Sequence, residues 1–242
     1  MKHLLSISLT LLYFSFAANA QTENQPTADQ ILKQMLSAYE TCTSYQDEGQ
    51  VETIFITKAR TWTDTKPFHT AFVRASNFYF EFKHRPHPQS QWQTYMVWED
   101  KEGARSWWTI QPGVRFFDSL RMALAGATGV SGRASNNVPN LLRADLKKAG
   151  NRFFRFSDAT VVREEKVQDK AAYKIEGKEF GGTPMTTWIE KQTSLLLKIY
   201  EKKTVRNSST GEDFETEITT TYQPQINIEI PAEKFKITMP SN

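Results

Sequence analysis

The sequence holds a single cysteine, Cys42, so an intrachain disulfide is excluded and stability must come from packing. An excess of charge of one sign is also missing. Thirty lysines and arginines face 27 aspartates and glutamates, for a net charge of +3, and removal of Lys2 leaves +2. That balance, with the basic residues dispersed along the chain, excludes nucleic acid as the default partner. After residue 20 there is no long apolar run, so a chain exported to that point is expected to be soluble. Motifs that carry chemistry are scarce. There is no G-x-S-x-G elbow and no H-E-x-x-H pair, and Gly126, Gly129 and Gly132 lack the Lys-Ser/Thr pair of a phosphate loop. Glu164-Glu165 and Glu99-Asp100 are neighbours on expected strands, where adjacent side chains point to opposite faces and serve concerted acid–base work poorly. Internal repeats and low-complexity tracts are absent.

What is present begins with residues 1–20. Lys2 and His3 form a basic start, residues 4–18 a mostly apolar stretch, and Ala18-Asn19-Ala20 a small-x-small cleavage site. This is the pattern of a secretory signal peptide cleaved after Ala20. A polar linker over 21–26 and a single domain over 27–242 are expected to follow. Export with one cysteine fits a bacterial periplasm. Cys42 lies too far from the cleavage site to carry an N-terminal lipid, so the expected product is free in that compartment.

Aromatic residues make up 12% of the chain, and they are dense over residues 68–110. There Phe78, Phe80 and Phe82 fall on one side of a strand, opposite Asn77, Tyr79, Glu81 and Lys83. Thr94, Met96 and Trp98 oppose Gln93, Tyr95 and Val97 in a strand apolar enough to be covered on both faces. Ahead of this region Thr27 opens a helix with Gln30 as its capping-box partner, and Ile31, Leu32, Met35, Leu36 and Tyr39 form an apolar stripe. Strands are expected over 44–58, 68–75, 77–84, 91–99 and 104–110, with turns at 62–67, 85–90 and 100–103. The spacing predicts a meander. A helix over 115–124, with Phe116, Phe117, Leu120, Met122 and Leu124 apolar, then a glycine-flanked stretch and a helix over 139–148, read as a lid. Strands resume at 153–156, 160–167, 170–179, 184–190, 194–205 and 214–222.

The fold class expected is mainly β with helices: a curved antiparallel, unclosed barrel with an N-terminal helix and a helical lid. Such a half-barrel has no second sheet to bury its aromatics. Phe78, Phe80, Phe82, Trp98 and Trp108 are therefore expected to line a cavity suited to acyl chains, covered by Phe116, Phe117, Leu120 and Leu124 of the lid. His69, His84 and His87 invite a metal reading. They are spread over a strand and a proline-interrupted turn without nearby cysteine, which fits exposed loop histidines better than a zinc site.

Several short motifs resemble those of the periplasmic outer-membrane lipoprotein carrier superfamily, the LolA-like fold. VRASNFYFEF is similar to the family's Arg-Pro-x-x-Phe-x-Trp strand pair, with Arg74 at the arginine, Ala75 in place of the proline, and Phe78 and Phe80 at the aromatic positions. WEDKEGARSWWTIQP resembles its Asp-Gly-x-x-x-Trp hairpin, TTWIEKQTSLLLKI the Trp-Ile-Asp hairpin of exported relatives, and residues 235–240 the terminal Phe-x-x-x-Pro. The resemblance implies that Arg74 helps to hold the lid closed and that lipid or lipoprotein acyl chains occupy the cavity. It implies a non-enzymatic monomer without cofactor or metal, with a membrane-associated protein as a further partner. Two alternatives stay open: a periplasmic sensor or interaction module binding a partner protein, and a hydrolase or metal enzyme working through His69 or His87.

Overall fold

The structure, a computed structural model, describes residues 25–87, 89–143, 146, 153, 156–179 and 181–239. The expected signal peptide, most of the linker and Pro240 of the terminal motif lie outside the described residues.

The first element, α1 (Ala28–Thr41), starts where its capping box sets it. The Thr27 hydroxyl accepts from the Gln30 amide at 3.3 Å, and the Gln30 side chain accepts from the Thr27 amide at 2.8 Å. Its stripe Ile31, Leu32, Met35 and Tyr39 is buried. Six strands then meander: β1 (Ser44–Ile56), β2 (Thr61–Val73), β3 (Asn77–His84), β4 (Gln93–Asp100), β5 (Gly103–Trp108) and β6 (Gln111–Phe117). Three helices follow, α2 (Leu120–Thr128), α3 (Ala134–Asn137) and α4 (Pro139–Leu142). The chain returns through β7 (Ser157–Val167), β8 (Lys170–Lys178), β9 (Pro184–Glu190), β10 (Leu196–Arg206), β11 (Asp213–Tyr222) and the short β12 (Gln225–Ile226).

All twelve strands form one antiparallel sheet in the order β6-β5-β4-β3-β2-β1-β11-β10-β9-β8-β7, with β12 beside β1. The edges β6 and β7 do not pair, so the barrel stays open. The two meanders meet where β1 pairs β11, with Gly49 opposite Tyr222. Register then fixes one inner face. Tyr45, Asp47, Gly49 and Val51 of β1 stand beside Phe72, Thr70, Phe68 and Lys66 of β2, and Phe72, Thr70 and Phe68 stand beside Phe78, Phe80 and Phe82 of β3. Those phenylalanines in turn oppose Glu99, Val97 and Tyr95 of β4. The α1 stripe, Leu120 and Leu124 of α2, and Leu141 and Leu142 of α4 join this face in one hydrophobic core. Gly49 has no side chain because the Phe68 ring occupies its place. A Cβ there would lie 2.2 Å from the ring and 2.6 Å from the Thr221 carbonyl oxygen.

Several expectations are corrected. Residues 62–67, expected as a turn, are the first half of β2. Pro67 lies beyond the last β2–β3 pair, on a stretch paired only with β1, where proline is tolerated in a strand. Residues 115–117 belong to the edge strand β6 rather than to a helix, because pairing with β5 overrides the helix-like spacing of their aromatics; the helix begins after the Ser119 cap. Consequently Phe116 is an exposed edge residue and no part of a lid. Of the helix expected over 139–148, α4, Arg143 and the buried Leu146 are described, and the helix ends at Leu142 because Arg143 is extended; of the strand expected over 153–156 only Phe153 and Phe156 are described, neither in a strand.

Candidate functional site

The inner face carries a continuous row of aromatic rings across five strands. Tyr222 meets Phe68 edge-on at 5.5 Å, Phe68 lies 6.2 Å from Phe80, and Phe80 lies 6.4 Å from Phe82. Phe82 stacks on Tyr95 at 5.6 Å, and Tyr95 meets Trp108 edge-on at 5.5 Å. The row therefore unites Phe80, Phe82 and Trp108, three of the residues singled out from sequence, with Phe78 two positions along β3 on the same face. Phe68, Tyr95 and Tyr222 were missed. The signal that finds them is cross-strand register, which local alternation does not contain.

Trp98 does not join the row. It pairs with Tyr79 and Arg105, on the opposite face of the sheet, where it packs with Met96 and Trp107 and lies beneath the Arg105 guanidinium. Both faces of β4 are buried, so its sequence offered no way to tell them apart.

Helices fill the space over the aromatic row. Phe78, Phe80 and Phe82 are at most 2% exposed and belong to the core they share with α1, α2 and α4, so they do not line open volume. Leu120 and Leu124 of α2 are buried in that contact, and Phe117 packs at its margin. The cover consists of short helices, and polar contacts at its rim tie it down. Arg74, in the β2–β3 turn, donates to the Cys42 carbonyl at 2.6 Å and the Tyr39 carbonyl at 3.0 Å, at the C-terminal end of α1. It also donates to the carbonyl of Leu142, the last residue of α4, at 3.2 Å. Carbonyls at helix C-termini lack partners within the helix and carry partial negative charge, so one guanidinium satisfies both ends at once. Arg143 forms an ion pair with Glu99 of β4. Arg133 reaches the Glu179 carboxylate at 2.9 Å, and the Asn137 amide donates to the Tyr222 hydroxyl at 2.9 Å.

Under the cover lies a buried acid. Asp47 is 1% exposed on the inner face of β1, and the Tyr45 hydroxyl donates to its Oδ2 at 2.8 Å. Its Oδ1 and the hydroxyl of Thr70, directly opposite, have no hydrogen-bond partner among the described residues. Burial outweighs the Tyr45 hydroxyl and pushes the carboxyl up to about 7. Burial likewise raises the Tyr39 and Tyr45 phenols and the Cys42 thiol.

The three histidines stay apart. His69 lies on the outer face with Nδ1 2.7 Å from the Asp47 carbonyl, His84 faces Asp64 at 3.4 Å, and His87 lies in the β3–β4 loop. Among the described residues no cluster of three or more metal-ligating side chains occurs.

No family model matches the chain, and no curated protein matches it. Solved structures similar to it include a LolA superfamily protein. That protein, from Nitrosomonas europaea, is 11% identical, with 88% of this chain and 98% of that chain covered and a TM-score of 0.32. LprF from Mycobacterium bovis is 10% identical, with 84% and 94% covered and a TM-score of 0.46. MucB in complex with MucA(peri) is 11% identical, with 87% of this chain but 60% of that chain covered and a TM-score of 0.44.

Proposed function

We propose that this chain is an exported, periplasmic binding protein for apolar ligands, most specifically the acyl chains of a lipid or lipoprotein, and that it acts without catalysing a reaction. The observation that carries this reading is the aromatic inner face covered by short helices that a few polar contacts at the rim hold closed, Arg74 among them. A second sheet would bury such a face permanently. A cover of short helices tied at its rim leaves a closed state with a filled interior and an open state in which acyl chains replace α2 and α4 against the rings. Burial of apolar area yields about 25 cal/mol per Å², so a single acyl chain is enough for micromolar binding. Polar selection would fall to Arg74, which lines an 820 Å³ cleft at the rim together with Arg143, Lys101 and Glu99.

Native mass spectrometry of the protein purified from its own periplasm, followed by organic extraction, tests this. Co-purifying lipid, or uptake of added fatty acid or phospholipid, supports it; a clean protein mass that neither ligand changes overturns it. A second reading, recognition of a partner protein, is favoured by the filled interior, because a surface that binds protein needs no cavity.

A further inference from the structure

The first half of β2 has a free side. β2 pairs with β1 along its whole length but with β3 only from Phe68 to Val73. In an antiparallel pair, residues alternate between bonding the partner strand and pointing their backbone groups away from it. Two bonds fix the phase here: the Thr57 amide to the Arg60 carbonyl at 3.0 Å, and the Arg74 amide to the Thr43 carbonyl at 2.9 Å. Both place the bonded pairs at odd-numbered residues of β1. Thr61, Thr63 and Thr65 are therefore the residues whose backbone groups face the free side, and Pro67 stands where it meets the β3 ladder. Proline at 67 fits, since the amide it lacks would have pointed outward. Among the described residues Thr61, Thr63 and Thr65 have no partner in β3.

The edge opens into a cleft of about 930 Å³, walled on the far side by the loop that carries Arg85 and Trp92. Trp62 and Trp92 are 38% and 41% exposed. The Arg60 guanidinium lies over Trp62 at 4.6 Å and that of Arg85 over Trp92 at 4.7 Å. Among the described lining residues the one carboxylate is Asp64, which Lys66 engages at 2.5 Å. Natural sheets usually blunt an exposed edge or cover it. This one is left with the backbone groups of three alternate threonines facing outward, flanked by aromatic planes and positive charge.

We infer that this edge is a docking site for an extended, acidic segment of a partner protein, which adds as a strand beside Thr61, Thr63 and Thr65 while its carboxylates meet Arg60 and Arg85 and its apolar side chains lie on Trp62 and Trp92. Main-chain bonds supply affinity in strand addition, and side-chain pockets supply selectivity. The site gives the partner-protein reading a location, and it is independent of acyl-chain binding at the inner face.

The test is to pan a random nonapeptide library on the folded protein and to follow an enriched peptide by amide hydrogen exchange. Enrichment of acidic peptides, with the Thr61, Thr63 and Thr65 amides slowing on binding while Trp62 and Asp64 stay as they were, is expected. Thr65→Pro leaves the β1–β2 ladder intact, as Pro67 does, and is expected to weaken the peptide about tenfold. Arg85→Glu, a surface change checked for fold by circular dichroism, is expected to weaken it further at low salt. No enrichment, or a bound peptide that leaves the three threonine amides unprotected, overturns the proposal. So does binding to phosphatidylglycerol vesicles in place of peptide, or self-association through this edge. Lipid uptake at the inner face is measured separately and fails or succeeds without bearing on these results.

Discussion

Arg74 donates to the carbonyl of Leu142 at 3.2 Å, so the β2–β3 turn and the last residue of α4 are joined through a single side chain. The same guanidinium holds the end of α1. Replacing it with alanine leaves three carbonyls without their donor, at a cost of about 2 kcal/mol for charge-assisted bonds. Arg74→Ala is expected to speed amide exchange in α2 and α4 before it affects β9 and β10, and to raise the binding of a fluorescent apolar dye. Lysine, a point charge, cannot reach all three carbonyls and is expected to restore only part of the protection.

Asp47 makes stability depend on pH. Its carboxyl titrates near 7 in the folded protein, against 3.8 for an aspartate in water. The folded state thus holds the proton more tightly than the unfolded one. The contribution of this group is full below about pH 4 and is lost as pH rises to about 7, by as much as about 4 kcal/mol. His69 acts in the opposite sense: burial lowers its pKa, so its protonation costs stability as pH falls below the ordinary histidine range. Urea midpoints from pH 4 to 8 for the wild type and Asp47→Asn separate the two. The variant is expected to lose the decline with rising pH and keep the histidine effect.

Phe80 and Trp98 lie on adjacent strands but on opposite faces of the sheet. Phe80→Ala empties a fully buried site and is expected to cost about 3–5 kcal/mol, as large-to-small core changes do. Where acyl chains bind, Phe80→Leu is expected to alter their affinity, and Trp98→Phe to leave it unchanged. Fluorescent fatty-acid titration of the two variants reads the difference.

Gly49→Ala is expected to destabilise the protein by about 1–3 kcal/mol, since a methyl group there meets the Phe68 ring and a β11 carbonyl that the sheet holds fixed. Thermal melts are the direct check. Phe68→Ala in the same chain is expected to relieve part of the strain, so the double variant loses less than the sum of the two single changes.

Much of the fold was legible. The Thr27–Gln30 box, the stripe from Ile31 to Tyr39, and the strands β3 and β9 were read to the residue, because capping and alternation are local. The face of Trp98 was not legible, because β4 is buried on both sides and only its register with β3 orients it. Phe116 and Phe117 have helical spacing to Leu120 and Leu124, yet pairing with β5 decides their conformation. Arg74 stood out through a resemblance; the carbonyls it serves, at Tyr39, Cys42 and Leu142, lie on elements far apart in the chain and carry no mark in the sequence.

The seam between β1 and β11 has a consequence for how the chain reaches this state. The strands β1 to β6 and β7 to β11 each assemble from neighbours, through short loops. The pairing of Gly49 with Tyr222 must instead close a loop spanning most of the chain, which is entropically costly and slow. Until it forms, β1 presents an unpaired edge to whatever is nearby. A chain arrested or truncated before β11 would be a candidate for aggregation and chaperone capture, even with every earlier hairpin in place.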